Sequence, residues 1–225
     1  MRSLVRLLIL ALPCVLRAQV RGSDVEVWNE VDISGALTSR ATLTVPLVIR
    51  DSFQLDNPQL AGVGPILDVE LTKHLTVTGG YLFVALPRTG SGYDAHVPLA
   101  AVTLRQTLGK IRMQDRNRAE KLFGIPHDPI RYRNKLVVDL GSEDDRWRPF
   151  VSDEVFYDFS QSLWSQNRAQ IGLGRQMTPQ LRLDGFFLER SVHKSDPTST
   201  HAIGVALEIR LSRSTRRKGV SHEEN

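Results

Sequence analysis

Polar and apolar residues alternate along most of this chain. In THAIGVALEIRL, residues 200–211, the odd-numbered positions from Ile203 to Leu211 are aliphatic, and the even-numbered positions from Ala202 to Arg210 are small or charged. A period of two is that of a β-strand, whose successive side chains point to opposite faces of a sheet. Residues 25–34 and 41–50 repeat the pattern. The sequence therefore predicts a sheet with one apolar face and one polar face.

Eleven strand-like segments of 10 to 13 residues follow one another from Val25 onward. They are residues 25–37, 41–52, 62–72, 75–87, 96–108, 111–122, 131–141, 147–158, 167–176, 181–191 and 201–211. Strands of ordinary globular proteins have a typical length of about five or six residues. A strand that crosses a bilayer at a tilt needs roughly 9 to 11 residues. The segment lengths therefore favour a membrane-crossing sheet.

The connections between these segments alternate in length. Turns near residues 38–40, 72–74, 109–110, 141–146 and 178–180 are short, whereas the connections around residues 57, 91, 126, 162 and 197 are longer. Short turns on one side and longer loops on the other are typical of outer-membrane barrels. We predict an all-β fold, a single antiparallel transmembrane-type β-barrel of about 10–12 strands. Because bacterial single-chain barrels have even strand numbers, we expect 12 rather than 10.

One segment of this pattern is less regular. The segment over residues 111–123 has charged or amide side chains on both parities, with Asp115 and Asn117 opposite Arg116 and Arg118, so its outer half is expected to project beyond the bilayer.

Aromatic residues lie mostly near segment ends and predict girdles at the two membrane surfaces. They are Tyr81, Phe83, Trp147, Phe150, Phe156, Tyr157, Trp164, Phe186 and Phe187.

The N-terminus has the pattern of a secretory signal peptide. Arg2 and Arg6 precede or flank the start of an apolar run over residues 7–16, which is too short to cross a bilayer as a helix. We predict a signal peptide over residues 1–18, cleaved after Ala18, then a barrel domain over 19–211 and a polar tail over 212–225. The expected location is the outer membrane of a Gram-negative-type bacterium.

Composition narrows the range of partners. The predicted leader contains three Arg residues and Cys14, the single Cys of the sequence, so the remaining chain is close to electroneutral and has no disulfide. A near-neutral chain has no global field to attract nucleic acid, and we expect no nucleic-acid partner. The expected partners are outer-membrane lipid and the barrel-assembly machinery, with a small-solute ligand left unspecified.

Five stretches of the chain carry a family resemblance. They are VEVWNEVDISGAL at residues 25–37, TLTVPLVIRDS at 42–52, NRAEKLF at 117–123, IRYRNKLVV at 130–138 and WRPFVSDEVFYDF at 147–159. In these stretches the chain resembles the DUF2490 family, bacterial proteins of unknown function that are predicted to be outer-membrane barrels. The resemblance implies a barrel over roughly residues 25–211, and it implies no catalytic residues.

Charged residues inside the predicted strands are the strongest chemical feature. The candidate lumen charges are Glu30, Arg50, Arg131, Arg133, Glu154, Arg168, Glu208 and Arg210. In a narrow lumen, opposite charges are expected to pair, because an unpaired buried charge costs on the order of several kcal/mol. The first hypothesis is a structural plug of ion pairs. The alternative is a pore or small-solute channel, in which rows of Arg would favour anions.

Two other functions are weighed against these. An outer-membrane hydrolase would need a Ser, a His and an acidic partner, but the histidines lie in predicted turns, in loops or at strand ends, and none has metal-ligand spacing. We therefore predict no enzyme and no catalytic, cofactor-binding or metal-binding residues. The second alternative is a soluble periplasmic lipocalin-like binding protein, in which the same alternation would place the apolar face inward.

Overall fold

The computed structural model describes residues 25–52, 60–87, 92–141, 145–193 and 199–211. These residues form β-strands joined by turns and loops. The strands are β1 Val25–Ala36, β2 Ala41–Ser52, β3 Leu60–Val63, β4 Ile66–Thr72, β5 Leu75–Leu86, β6 Tyr93–Leu108, β7 Ile111–Lys121, β8 Ile130–Leu140, β9 Trp147–Asp158, β10 Leu163–Thr178, β11 Leu181–Val192 and β12 Ser199–Leu211. The predicted signal peptide and the predicted polar tail lie outside the described residues.

The strands form one sheet that closes on itself as a barrel. Apart from β3 and β4, which do not pair with each other, each strand pairs with its neighbours in chain order, and β1 also pairs with β12. Strands β3 and β4 both lie between β2 and β5, and Gly64 and Pro65 separate them. A Cβ at Gly64 would lie 2.1 Å from the carbonyl oxygen of Tyr81, so the chain needs glycine at this break. The described strands thus occupy eleven positions around the barrel.

The barrel closes through a parallel pair of strands. β1 and β12 run parallel, from Val25 opposite His201 to Gly35 opposite Leu211, whereas the other described pairs are antiparallel. With eleven positions and antiparallel neighbours, the first and last strands must run in the same direction. The predicted range of 10–12 strands includes this number, but the expected even count is not observed. A parallel ladder is only slightly less stable per residue, which makes the odd number physically accessible.

The apolar face of the sheet points outward. On β6, Ala95, Val97 and Ala101 are buried, whereas Val102 and Leu104 on the other parity are 43% and 51% exposed. On β12, Ala202 packs inside the barrel against Trp28 and Leu188, whereas Ile203 on the other parity is 39% exposed. This arrangement is the reverse of the lipocalin-like alternative. The described ranges hold no α-helix with the length and hydropathy of a membrane-crossing helix.

The aromatic residues divide between the two faces. Trp147 and Trp164 lie outward near opposite ends of the barrel, at 50% and 58% exposure, as the girdle prediction requires. Phe156, by contrast, is only 2% exposed and lies inside, as does Phe186, which covers a glycine on β12. A Cβ at that glycine, Gly204, would lie 2.0 Å from the Phe186 ring. The girdle prediction is therefore wrong for the inward rings, because they share the parity of the lumen charges.

The polar part of β7 does not project beyond the barrel. Asp115 lies opposite Leu136 on β8, and Asn117 lies opposite Asn134, both near the middle of their strands. These two residues thus lie inside the strand ladder, and the expectation that the outer half of the segment projects beyond the bilayer stays a prediction. The chain instead turns after Lys121, and Leu122 packs inside against Ala95 and Val97. The polar side chains of Asp115 and Asn117 therefore lie on the outer face, level with exposed aliphatic side chains such as Leu104 and Leu136. We call this outward band of aliphatic side chains the apolar belt.

Candidate functional site

One carboxylate in the lumen faces three guanidinium groups. Glu154 on β9 is 4% exposed, and its Oε1 accepts hydrogen bonds from Arg133 Nη2 at 2.7 Å and Nε at 3.1 Å. Arg116 Nη2 lies 3.4 Å from the same oxygen, and Arg168 Nη1 lies 3.5 Å from Oε2. The three cations come from β7, β8 and β10, and Arg168 is the direct cross-strand partner of Glu154. One buried anion thus holds three different strands together.

A second carboxylate repeats the arrangement on β7. Glu120 is 2% exposed, and Arg131 Nη2 and Nε lie 2.6 Å and 3.0 Å from its Oε1. Arg118 Nη2 lies 2.6 Å from Oε2, and Arg133 Nη1 lies 3.3 Å from the same oxygen. Arg133 therefore bridges the two carboxylates. We call Glu120, Glu154, Arg116, Arg118, Arg131, Arg133 and Arg168 the central charge cluster.

The alternation of the strands explains why these residues meet. Arg116, Arg118 and Glu120 are separated by two positions each on β7, so they all point inward. Glu120 lies directly opposite Arg131 in the β7–β8 ladder, which places opposite charges side by side. The cluster contains five cations and two anions. Its surplus of positive charge distinguishes it from a neutral set of pairs.

Aromatic rings extend the cluster across the barrel. The guanidinium of Arg168 lies 4.4 Å from the ring centroid of Phe156 and 4.9 Å from that of Trp28. Trp28 is on β1, and β11 and β12 separate that strand from β10, so this contact passes through the interior. Arg50 on β2 approaches the Trp28 ring to 3.8 Å, at the close range of a cation–π contact. These side chains form a layer that links β7 to β10 with β1 and β2.

Glu26 anchors the edge of this layer. It is 2% exposed, it accepts a hydrogen bond from Trp28 Nε1 at 2.7 Å, and Arg190 Nη2 lies 2.6 Å from its other oxygen.

A barrel of about 8 strands is filled by ordinary side chains, whereas one of 16 to 18 strands leaves an aqueous channel. Eleven positions fall between these limits. Long arginine and aromatic side chains are what can close a lumen of this width.

A second group of charges lies nearer the short-turn end. Asp139 on β8 lies 3.9 Å from Arg112 Nη2 and 3.6 Å from Arg182 Nη2, and Arg182 Nε lies 2.6 Å from Asp184. Because Arg182 is on β11, its contact with Asp139 also crosses the interior. The lumen is therefore bridged at two levels.

The eight candidate lumen charges have different surroundings. Arg131, Arg133, Glu154 and Arg168 belong to the central charge cluster, Arg50 lies on Trp28, Glu30 shares the inward parity of Glu26, and Glu208 and Arg210 form a separate pair. That pair has an Nε–Oε1 distance of 2.7 Å, and its side chains are 34% and 53% exposed. The structure thus brings four of the candidates together and leaves one pair near the short-turn mouth.

Sequence reasoning did not include Arg116, Arg118 and Glu120 among the candidate lumen charges. All three lie in the segment over 111–123, whose mixed parity indicated a strand that leaves the membrane. The signal that identifies them is the register itself, since Glu120 faces Arg131 and Arg118 faces Arg133 across the β7–β8 ladder. A sequence alone does not supply that register.

Residues with other chemistry do not gather into a comparable site in the described ranges. No group of three or more His, Cys, Asp or Glu side chains there could hold a metal ion. His96, on the outer face, contacts the Tyr81 hydroxyl and lies edge-on to Phe83. The absence of catalytic and cofactor residues stays a prediction.

Comparison with known proteins gives a family and distant structures. A family model described as a protein of unknown function, DUF2490, matches residues 25–201. No curated protein matches the chain. Among solved structures, an anion-selective porin from Comamonas acidovorans is similar at a TM-score of 0.40 and 8% identity, with 78% of this chain and 53% of the porin covered. A loop L8 deletion mutant of OmpT, an outer membrane protein of Vibrio cholerae, gives 0.38 and 10%, with 71% and 59% covered. The chain thus spans little more than half the length of either.

Proposed function

The chain belongs to the DUF2490 family, whose model matches residues 25–201, and from this premise and the geometry of the lumen we propose an outer-membrane β-barrel that is closed at rest. The closure is the layer formed by the central charge cluster with Trp28, Arg50 and Phe156. Its role is structural, in that it holds the barrel wall rigid and blocks free diffusion of solutes.

The outer surface supports the membrane location. Large aliphatic side chains are exposed on the outward parity of strands all around the barrel, including Leu47 on β2 at 43% and Leu173 on β10 at 44%. Monomeric soluble proteins rarely expose a continuous apolar surface of more than a few hundred Å². Hydrocarbon is the solvent that such a belt fits, with the lumen charges kept away from lipid. Export by the predicted signal peptide and insertion by the barrel-assembly machinery belong to the same proposal.

One contact carries the proposal of a closed lumen. Arg168 is bound to Glu154 on the neighbouring strand, and its guanidinium also reaches Trp28 across the interior. The guanidinium of Arg50, on β2, contacts the ring of the same tryptophan. An ion that passes through this level must displace a guanidinium from its carboxylate or its aromatic ring.

A gated pathway for anions is the second candidate function. The observation that favours it is the composition of the central charge cluster, with five arginines around two glutamates. If the layer opens, the surplus cations would attract anions and repel cations, as charged rings do in ion-selective pores. The two candidates share one site and differ in whether the layer opens under physiological conditions.

Conductance in planar lipid bilayers tests the proposal. The unsubstituted barrel is expected to show little or no steady conductance, and the double variant Arg168→Ala/Arg50→Ala is expected to conduct, because both contacts with Trp28 are lost. Arg210→Ala is the matched control, since Arg210 lies in the exposed pair with Glu208. A large resting conductance with anion preference in the unsubstituted protein would replace the closed barrel by the anion pathway.

Fractionation tests the membrane location separately. After expression in a Gram-negative host, the mature chain is expected in the outer-membrane fraction and in solution only with detergent. A chain that stays soluble in the periplasm without detergent would contradict the membrane location.

A further inference from the structure

A cluster of polar side chains interrupts the apolar belt on the outer face of the barrel. It lies on four adjacent strands, β7 to β10, and we call it the outer polar stripe. Its members are Asp115, Asn117, Asn134, Asp153 and Asn167. With neighbouring strands about 4.8 Å apart, it is about 15 Å wide. This stripe plays no part in the lumen.

On β8 and β9 the stripe lies within the belt and not at its edge. On β8, Asn134 has Tyr132 and Leu136 as its outward neighbours, and on β9, Asp153 lies between Val151 and Val155. Leu136 and Val151 are exposed aliphatic residues of the belt. Apolar side chains thus lie on both sides of the polar ones along the strand. On β2 and β6 the outward positions at the same part of the strand are aliphatic, such as Leu47 and Val102.

The stripe residues are hydrogen-bonded to one another. Asn134 Nδ2 donates to Asp115 Oδ1 at 2.6 Å and to Asn117 Oδ1 at 3.2 Å, and Asn117 Nδ2 donates to Asp115 Oδ2 at 3.2 Å. Asn167 Nδ2 donates to Asp153 Oδ1 at 2.9 Å. Asp153 is nevertheless exposed. Hydrocarbon offers no partner for an exposed carboxylate or for the spare amide hydrogens, so lipid is a poor neighbour for this surface.

We propose that the outer polar stripe binds a second copy of this chain, so that two barrels associate through β7 to β10. The inference rests on the membrane location proposed above. A two-fold contact places the same patch on both subunits against itself, and such a patch must be self-complementary. The stripe meets this condition, because it carries carboxylate acceptors at Asp115 and Asp153 and, beyond the hydrogen bonds within the stripe, one further amide hydrogen each on Asn117 and Asn167. A purely cationic partner would satisfy the carboxylates and leave the amide hydrogens unmatched.

A hollow beside the stripe fits the same contact. It has a volume of about 430 Å³, and its lining combines the apolar Leu136, Val151, Ile171 and Phe187 with the carboxylates of Asp153 and Glu189. Interfaces in which a polar patch adjoins an apolar pocket combine hydrogen bonds with the packing of an inserted side chain. Between two barrels, the hollow would receive an aliphatic side chain of the second copy while the stripe residues exchange hydrogen bonds.

Disulfide cross-linking in isolated outer membranes tests this proposal. The single Cys of the sequence is in the predicted leader, so introduced cysteines report on their own positions. Asp153→Cys and Asn134→Cys are expected to give a covalent dimer of twice the monomer mass on oxidation. Leu47→Cys, on the outer face of β2 and away from β7 to β10, is the matched control and should stay monomeric.

Three results would overturn the proposal. The first is the absence of a dimer from both stripe positions while the barrels are folded and present in the membrane fraction. The second is a cross-linked product containing a different protein, which would give the stripe another partner. The third is an equal dimer yield from Leu47→Cys, which would indicate random collision. A chain found in the soluble fraction would instead contradict the membrane location, and conductance reports on the lumen alone, so the failures are distinguishable.

A second measurement guards against misfolding of the cysteine variants. The double variant Asp153→Leu/Asn167→Leu removes a mutually hydrogen-bonded pair and leaves an apolar outer face. We expect it to fold and to sediment as a monomer in mild detergent, where the unsubstituted chain sediments as a dimer. Sedimentation of both proteins as monomers, or of both as dimers, would contradict the role of the stripe.

Discussion

Neutralising Glu154 should destabilise the barrel strongly, because this carboxylate is buried and faces three guanidinium groups. The variant Glu154→Gln keeps the size of the side chain but removes its charge. Arg133, which lies 2.7 Å away, would keep Glu120 as a partner, but Arg116 and Arg168 would lose their carboxylate in the lumen. Breaking a buried pair by removing one partner costs about 3–5 kcal/mol. Since the amide oxygen still accepts one hydrogen bond, we expect the lower end, about 3 kcal/mol.

The matched control is Glu208→Gln. Glu208 and Arg210 form one pair at 2.7 Å, but their side chains are 34% and 53% exposed. Exposed pairs contribute about 0–1 kcal/mol, because solvent screens them and ordering two long side chains costs entropy. Urea titration of the barrel in phospholipid vesicles, followed by tryptophan fluorescence, measures both free energies of unfolding. The same chemical change should thus have a large effect at Glu154 and a small one at Glu208.

A double-mutant cycle identifies the cause of the loss. Arg168 pairs with Glu154 at 3.5 Å, so Glu154→Gln combined with Arg168→Gln removes one of the cations that the first change leaves unmatched. The double variant should be less destabilised than the sum of the single variants, with a coupling of roughly 1 kcal/mol or more. Equal stability of Glu154→Gln and Glu208→Gln, or strict additivity in the cycle, would refute the reasoning.

The remaining predictions concern the outer face, the packing inside and the leader. Leu47→Arg places a charge on the lipid-facing side of β2 and should cost roughly 2–4 kcal/mol in the same titration, whereas Leu47→Ala should be milder; equal losses would contradict a lipid neighbour. Gly204→Leu should lower the yield of folded barrel, because a Cβ there meets the Phe186 ring at 2.0 Å, and Phe186→Ala should restore part of it; no rescue would point to another cause. N-terminal sequencing of exported protein should begin at Gln19 or within a few residues, and an intact Met1 would contradict the predicted leader.

The strand pattern is where the sequence was most informative. The segments read at 41–52, 147–158 and 181–191 agree with β2, β9 and β11 to within one residue. Alternation over a dozen residues leaves little freedom, since a slip of one residue would turn every side chain to the wrong face. The segment over 62–72 proved to be two strands, β3 and β4, because Gly64 and Pro65 interrupt the ladder without changing the direction of the chain.

Only the structure shows which way the side chains of the segment over 111–123 point and which residues of the central charge cluster contact one another. Asp115 and Asn117 suggested exposure to water, yet they lie on the outer face in the belt and bond to Asn134. Their positions depend on the register between β7 and β8, which local composition does not set. The contact of Arg168 with Trp28 depends on closure of the whole barrel, because residues 140 positions apart in the chain meet only across the lumen. Parity could assign these side chains to a face but not to a partner.

Cysteine labelling of two neighbouring residues tests most directly whether lipid surrounds the apolar face and water fills the accessible part of the lumen. Leu104 on β6 is 51% exposed on the outer face, and Arg105 points inward, where its Nη1 lies 2.5 Å from Thr76 Oγ1. In folded barrels in vesicles, a cysteine at position 105 is expected to react with a water-soluble maleimide, and one at position 104 only with a lipid-soluble reagent. Ready labelling at position 104 from water, with protection at position 105, would contradict the proposed orientation of the barrel wall.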